Sequence, residues 1–292
     1  MFELMGFIGI ALQVKRIPII LEPYQLQRID NISEYFPNIG SRFQRKEICQ
    51  SHVYISTPLE FCCRHDIRIV KRLEEKTFIH SVAIQLRYLQ SYKYFWNLRR
   101  EAILHIIGGS NQTIFMADTQ LFPKNRLRRR QSNICVHIRR GDFTGSKMHR
   151  ASDAEFSLAA MRFVVEKTIS EDSRPPHIYV FTDSIEWTKE NVVEPYIAAN
   201  ISWSAPLIAA DFADKAPNTE WEFSRMYCDR VLLTASTSTY GWWIAYFSRG
   251  QKVYYSTRHG SPGAHPREFL STDFFPQHWR PLSSHGSEVI EL

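Results

Sequence analysis

The sequence predicts an α/β protein whose C-terminal half is built on a doubly wound, mainly parallel sheet. Three observations predict it. Apolar runs of strand length alternate with helical patterns from residue 133 to 256, the rhythm of strand–helix–strand units. Hydrophobic residues make up 44% and charged residues 23% of 292 residues, a globular balance that excludes a disordered chain. No repeat of roughly 20–50 residues is visible, which removes solenoids and propellers. The length suits one large domain or two ordinary ones.

The chain opens on Leu4–Leu12, where Leu4, Phe7, Ile8, Ala11 and Leu12 recur at helical spacing. The run is too short to span a bilayer and lacks the basic leader of a signal peptide. Ile17–Leu21 follows as a strand, so the alternation begins on a helix with no strand before it. This hints at a missing N-terminal piece. Thr77–Ile107 reads as largely helical, with Val82, Leu86, Leu89, Phe95, Leu98 and Leu104 recurring irregularly and Gly108-Gly109 as its end. Phe122–Arg130, rich in Pro, Asn and Arg, reads as a linker. It divides the chain into domains 1–128 and 129–292.

Beyond it, Asn133–Ile138 is a buried strand. Glu155–Val165 is an amphipathic helix with Phe156, Ala159, Ala160, Phe163 and Val164 on one face. His177–Asp183 is a second strand, and Ser184 caps a helix running to about Val192. Trp221–Tyr227 is helical, Val231–Ala235 a third strand, Tyr240–Phe247 a helix ended near Gly250, and Lys252–Ser256 a fourth strand. In such sheets ligands bind at the carboxyl ends of the strands.

Lys and Arg (36) exceed Asp and Glu (30), for a net charge of +6. An anionic partner follows: nucleic acid, a membrane surface or a phosphorylated small molecule. The arginines of residues 126–130 would serve the first two, although such runs are commonly solvated surface. Aromatics reach 13%, rings that suit a core and also the walls of a sugar or base pocket. Five cysteines without a Cys-x-x-Cys pair do not predict a zinc site, and their pairing stays open. With the sequons at Asn31, Asn111 and Asn200 they lean toward the secretory pathway.

The strand ends carry the chemistry. The first continues into Arg139-Arg140-Gly141-Asp142. Paired guanidiniums are always charged and bind phosphate through two hydrogen bonds at once. Gly141 permits a sharp turn, and Asp142 could orient an arginine or act as a base. The second strand ends in Asp183, a carboxylate that can accept from ribose or base, or cap a helix. The third leads through Ser236-Thr-Ser238-Thr239-Tyr-Gly241 into a helix whose free N–H groups would cradle phosphate. Neither a P-loop nor Gly-x-Gly-x-x-Gly occurs, which disfavours NTPases and dinucleotide dehydrogenases. A nucleotide-diphosphate sugar fits: arginines and a helix dipole can neutralise the leaving diphosphate without a metal.

His137-Ile-Arg139-Arg140-Gly-Asp142 also resembles the His-x-Arg-Arg-x-Asp motif of the α-1,2-fucosyltransferases, glycosyltransferase family 11. Tyr88–Phe95, His177–Asp183, Leu232–Tyr246 and Asp273–Trp279 resemble further segments of that family in order, covering nearly the whole chain. His-x-Arg-Arg alone is shared with α-1,6- and protein O-fucosyltransferases. The resemblance implies a GT-B-like fold with two Rossmann-like domains, GDP-fucose as donor, inversion at the fucose carbon, a galactose-containing glycan as acceptor, no essential metal or cofactor, and a Golgi type II membrane protein. It makes residues 1–128 the acceptor side and 129–292 the GDP-sugar domain. Carried over, Arg139 and Arg140 hold the diphosphate; His137 and Asp183 lie near the nucleoside; Ser238 and Thr239 cap the phosphate-binding helix; Asp142 orients the arginines or assists the acceptor. Asp211 falls, by a loose match, in the region that contacts guanine. The family's membrane anchor, first strand and Gly-rich loop have no counterpart here. A catalytically impaired relative that binds nucleotide or glycan, another fucosyl linkage, and a nucleic-acid binder using residues 126–130 are the alternative readings.

Overall fold

The computed structural model describes residues 1–21, 24–46, 53–55, 62–76, 79, 81–84, 88–122, 129–199, 207–211, 217–260, 269–285 and 288–292. They form two compact units: Met1–Ser110 with His265–Gln277, and Asn111–Ala264 with His278–Leu292. Residues 123–128 of the linker reading and the sequon at Asn200 lie outside the described residues.

The first unit contains α1 (Phe2–Gln13), β1 (Ile19–Leu21), α2 (Tyr24–Tyr35), β2 (Gln44–Lys46), β3 (Val53–Ile55), α3 (Ile67–Glu74), β4 (Val82–Ile84) and α4 (Arg100–Ile106). The strands make two parallel pairs, β1 with β2 and β3 with β4. The apolar opening run is a helix, buried at Phe2, Met5, Ile8 and Ile10. Returning chain docks beside it. Buried Asp273 receives His65 N–H (2.9 Å) and pairs with Lys93 (2.6 Å), while Ser91 Oγ donates to the Asp273 carbonyl (2.6 Å). Cys62 and Cys63 are joined by a disulfide.

The helical reading of Thr77–Ile107 is corrected here. Among its described residues the segment holds β4, a 3-10 turn at Tyr92–Tyr94 and the single α-helix α4. Val82 and Ile84, β-branched, pair with Val53 and Ile55 of β3. Tyr88 and Leu89 then take φ of 69° and 46°, which no right-handed helix passes through. Their irregular apolar spacing was the sign of this.

The second unit runs α5 (Asn111–Thr119), β5 (Ser132–Ile138), α6 (Ala154–Glu171), β6 (Pro176–Thr182), α7 (Ile185–Thr188), a π turn at Lys189–Val193, α8 (Glu194–Ala198), β7 (Leu207–Asp211), α9 (Pro217–Tyr227), β8 (Arg230–Leu233), α10 (Thr239–Phe247), β9 (Lys252–Ser256), β10 (Arg280–His285) and β11 (Glu288–Glu291). These strands form one sheet in the order β11-β10-β9-β8-β5-β6-β7. All pair in parallel except the edge strand β11. The fold is therefore mixed α/β with a mostly parallel central sheet.

Every residue of β5 is buried, which explains its apolar centre, Ile134-Cys135-Val136: a parallel strand is covered on both faces. Phe156, Ala160, Met161 and Val164 of α6 pack with Ile134, Val136 and Ile178 in one core cluster. A disulfide joins Cys135 in β5 to Cys228 just beyond α9, with Cα atoms 5.7 Å apart. Chain order reverses between β5 and β8: β6 and β7 extend the sheet one way, β9 and β10 the other. In sheets of this kind ligands bind at the carboxyl ends of the two strands where the order reverses.

Candidate functional site

Two segments meet at that reversal, the turn after β5 and the start of α10 after β8. The first is organised by Asp183, at the end of β6 and only 10% exposed. Its Oδ1 accepts the Arg140 backbone N–H (2.8 Å), and its Oδ2 pairs with Arg139 Nε (3.2 Å). Gly141 is required beside it, because a Cβ there would stand 2.5 Å from Asp183 Oδ2. Asp142, 70% exposed, also accepts from Arg139 at 2.8 Å. Exposed pairs of that kind contribute little, so Asp183 is the anchor. The Arg140 guanidinium lies over the Trp187 ring in α7, 4.0 Å from its centroid, and donates to the Ser152 carbonyl at 2.7 Å.

Ser152 and Thr234, both buried, tie the two segments together. Thr234 Oγ1 donates to the His137 carbonyl (2.8 Å). That fixes the hydrogen order: Ser152 Oγ donates to Thr234 Oγ1 (2.6 Å) and accepts from Arg139 N–H (3.0 Å). A buried, fully directed chain of hydrogen bonds thus runs from the backbone of Arg139 to the end of β8.

At the second segment Ser238 caps α10, its Oγ accepting Gly241 N–H at 3.3 Å. Thr239 is the first helical residue. His137 is fully buried beneath this turn, and a Cβ on Gly241 would come within 2.5 Å of its Nδ1. Burial, aided by the nearby Arg139 charge, lowers the His137 pKa to about 3, so its ring is neutral. Tyr240 Oη donates to buried Glu220 (2.6 Å), and its pKa is pushed far up, first by burial and then by that carboxylate. His149 Nδ1 lies 3.1 Å from Thr237 Oγ1, and His259 Nδ1 lies 3.3 Å from Ser236 Oγ. Burial lowers both imidazoles, His259 to about 4.

The structure thus brings Arg139, Arg140, Asp142 and Asp183 together on one side of the reversal and His137, Ser238 and Thr239 on the other. Asp211 ends β7, opposite Thr182 of β6, so it lies one strand further out. Asn31, in α2, and Asn111, opening α5, are exposed. Sequence reasoning missed Ser152, Thr234, Trp187, His149 and His259. Only Thr234, one residue past β8, stands at a strand end; the register of β5 with β8 and the return of the loop reveal its partners. Among the described residues no group of three His, Cys, Asp or Glu side chains is placed to hold a metal. No helix among them is long and apolar enough to cross a membrane.

Paired guanidiniums beside a capped helix start can hold a diphosphate and stabilise negative charge developing on it. Comparison with known proteins agrees in kind. The family model "Glycosyl transferase family 11" matches residues 86–279, which include every residue of the two segments. A relative from Caenorhabditis elegans named "Putative galactoside 2-alpha-L-fucosyltransferase svh-11" is 29% identical over 96% of this chain and 74% of its own. A second from the same organism, named "Galactoside 2-alpha-L-fucosyltransferase", is 28% identical over 97% of this chain and 73% of its own. A third of that name is 26% identical over 99% and 78%.

Proposed function

Because the chain belongs to glycosyltransferase family 11, we propose that it transfers L-fucose from GDP-fucose to the 2-hydroxyl of a galactoside, with inversion at the fucose anomeric carbon. The observation that carries this reading is the convergence of Arg139 and Arg140 with the Ser238-capped start of α10 at the reversal between β5 and β8. The names of the relatives supply the sugar and the acceptor class.

In this reading the donor's diphosphate lies against α10 with the guanidiniums around it. As the glycosidic bond lengthens, the fucose carbon becomes cationic and the second phosphate gains charge. The site meets that charge with fixed donors, so the stabilisation is largest in the transition state. The acceptor hydroxyl attacks from the opposite face, which inverts the carbon. The domain arrangement is taken as GT-B-like, GDP-fucose as a substrate rather than a cofactor, and the reaction as needing no metal. Two disulfides and the exposed sequons at Asn31 and Asn111 support a lumenal, Golgi setting.

Calorimetric titration of GDP tests the donor site. Wild type should bind, and Arg140→Ala should bind markedly more weakly while keeping its circular dichroism spectrum. A folded wild type that ignores GDP, or an Arg140→Ala variant of equal affinity, contradicts the reading.

A further inference from the structure

His149 lies in the loop that follows the arginines, held there by Ser146 Oγ, which accepts its backbone N–H at 3.0 Å. The ring stacks on Phe143, centroids 4.5 Å apart and planes 13° from parallel. The Arg139 guanidinium sits 5.6 Å from the centroid of that same phenyl ring. Its other neighbour is the start of α10, through Thr237 Oγ1 at 3.1 Å. His149 therefore stands where the two halves of the anion site meet.

Thr237 has one hydroxyl hydrogen and two partners for it, the His259 carbonyl (3.3 Å) and His149 Nδ1 (3.1 Å). With the hydrogen on the carbonyl, which can only accept, Thr237 Oγ1 is an acceptor toward His149 and Nδ1 carries the proton. A neutral imidazole with Nδ1 protonated has a lone pair on Nε2. A phosphate oxygen brought to such a ring meets lone pair with lone pair. A protonated ring offers it an N–H instead.

We propose that His149 is a ligand of the donor's diphosphate and takes up a proton as the nucleotide sugar binds. The proposal rests on the donor reading above and adds a residue to it. The free protein favours the neutral ring: burial is the largest cause, Arg139 opposes a second cation, and Asp142 pulls the other way. These two charges face His149 from the turn after β5. The start of α10 presents the Thr237 hydroxyl, which also meets the backbone carbonyl of His259 from the segment after β9. A bound diphosphate reverses the balance, since anionic charge within a few ångströms favours the cation. The proton comes from solvent on binding and returns when GDP leaves; no bond is made or broken by His149.

The test is calorimetry of GDP-fucose at pH 7 in HEPES and in Tris, whose ionisation heats differ. GDP-fucose is the right probe because its diphosphate diester does not titrate near neutrality. Wild type should take up more than about half a proton per nucleotide sugar, and affinity should fall by up to roughly tenfold per pH unit above neutrality. His149→Gln should bind more weakly with no uptake, while His259→Gln should keep the uptake. Binding without uptake in wild type, or uptake that survives in His149→Gln, overturns the proposal and leaves the donor site standing. Failure of folded wild type to bind GDP-fucose overturns both. If His149→Gln binds too weakly to titrate, ¹⁵N spectra of the wild-type imidazoles decide: His149 must pass from the neutral to the cationic pattern on saturation, and a ring that stays neutral overturns the proposal.

Discussion

Asp183→Asn isolates the anchor of the arginine pair. The carboxylate is 10% exposed and makes two contacts, accepting Arg140 N–H at 2.8 Å and pairing with Arg139 Nε at 3.2 Å. Asparagine has the same shape and can keep the first contact through its oxygen. It then points an NH₂ at Arg139 Nε, donor against donor. The loss is one charge-assisted contact in a nearly dry place, roughly 2–3 kcal/mol. Arg139 would keep its contacts to Asp142, 3.1 Å from Nε and 2.8 Å from Nη2, but that carboxylate is 70% exposed and contributes at most about 1 kcal/mol. With Arg139 no longer held for the diphosphate, kcat/KM for GDP-fucose should fall roughly 30- to 150-fold. The assay is initial-rate GDP release on a galactoside acceptor, with thermal denaturation run in parallel. The melting temperature should drop only a few degrees, because the change lies at the rim of the sheet. A kcat/KM within threefold of wild type would refute the anchoring argument, and so would a fall matched by global unfolding.

Gly241→Ala should destabilise the protein by about 2–3 kcal/mol, read from urea midpoints, since the new methyl would stand 2.5 Å from the buried His137 ring. Cys135→Ala removes the disulfide to Cys228, which closes a loop of 93 residues; chain entropy assigns it about 4–5 kcal/mol, so the urea midpoint should fall steeply even without reductant. Stability should also decline in acid. Burial holds His137 at about 3 and His177 and His259 at about 4, below the unfolded 6.5. Their contribution is complete above about pH 6.5 and is lost on descent toward those folded values, by up to about 1.4 kcal/mol per pH unit for each ring. Denaturant midpoints at pH 7 and pH 5 check it, and His137→Phe should flatten the slope.

The sheet of the second unit was readable because its strands are buried on both faces. Asn133–Ile138 carries four apolar residues in six, and a run so short between helical patterns has few other solutions. Lys252–Ser256 was readable for the same reason. The strand ends were legible because arginines beside glycine, and hydroxyls before a helix, have narrow physical uses. Thr77–Ile107 was not, because the parallel partner of Val82–Ile84 is Val53–Ile55, too distant in sequence for any local pattern to show. Ser152 and Thr234 were silent for a related reason: a serine and a threonine gain meaning only when register places their hydroxyls 2.6 Å apart. Ser184 was read as a helix cap, yet it makes no side-chain capping bond; its N–H instead donates to Thr182 Oγ1 at 3.0 Å. The vicinal pairing of Cys62 with Cys63, and the pairing of Cys135 with Cys228, could not be chosen from five cysteines alone.

The most direct measurement is product analysis after incubating the purified protein with GDP-fucose and β-galactosides, with nuclear magnetic resonance of the isolated glycan. The account predicts GDP released in step with a new α-linked fucose on galactose O-2, and at least a ~100-fold slower reaction in Arg139→Ala and Arg140→Ala. Fucose appearing at an unchanged rate in either arginine variant, or a folded protein that releases no GDP with any galactoside, would contradict it.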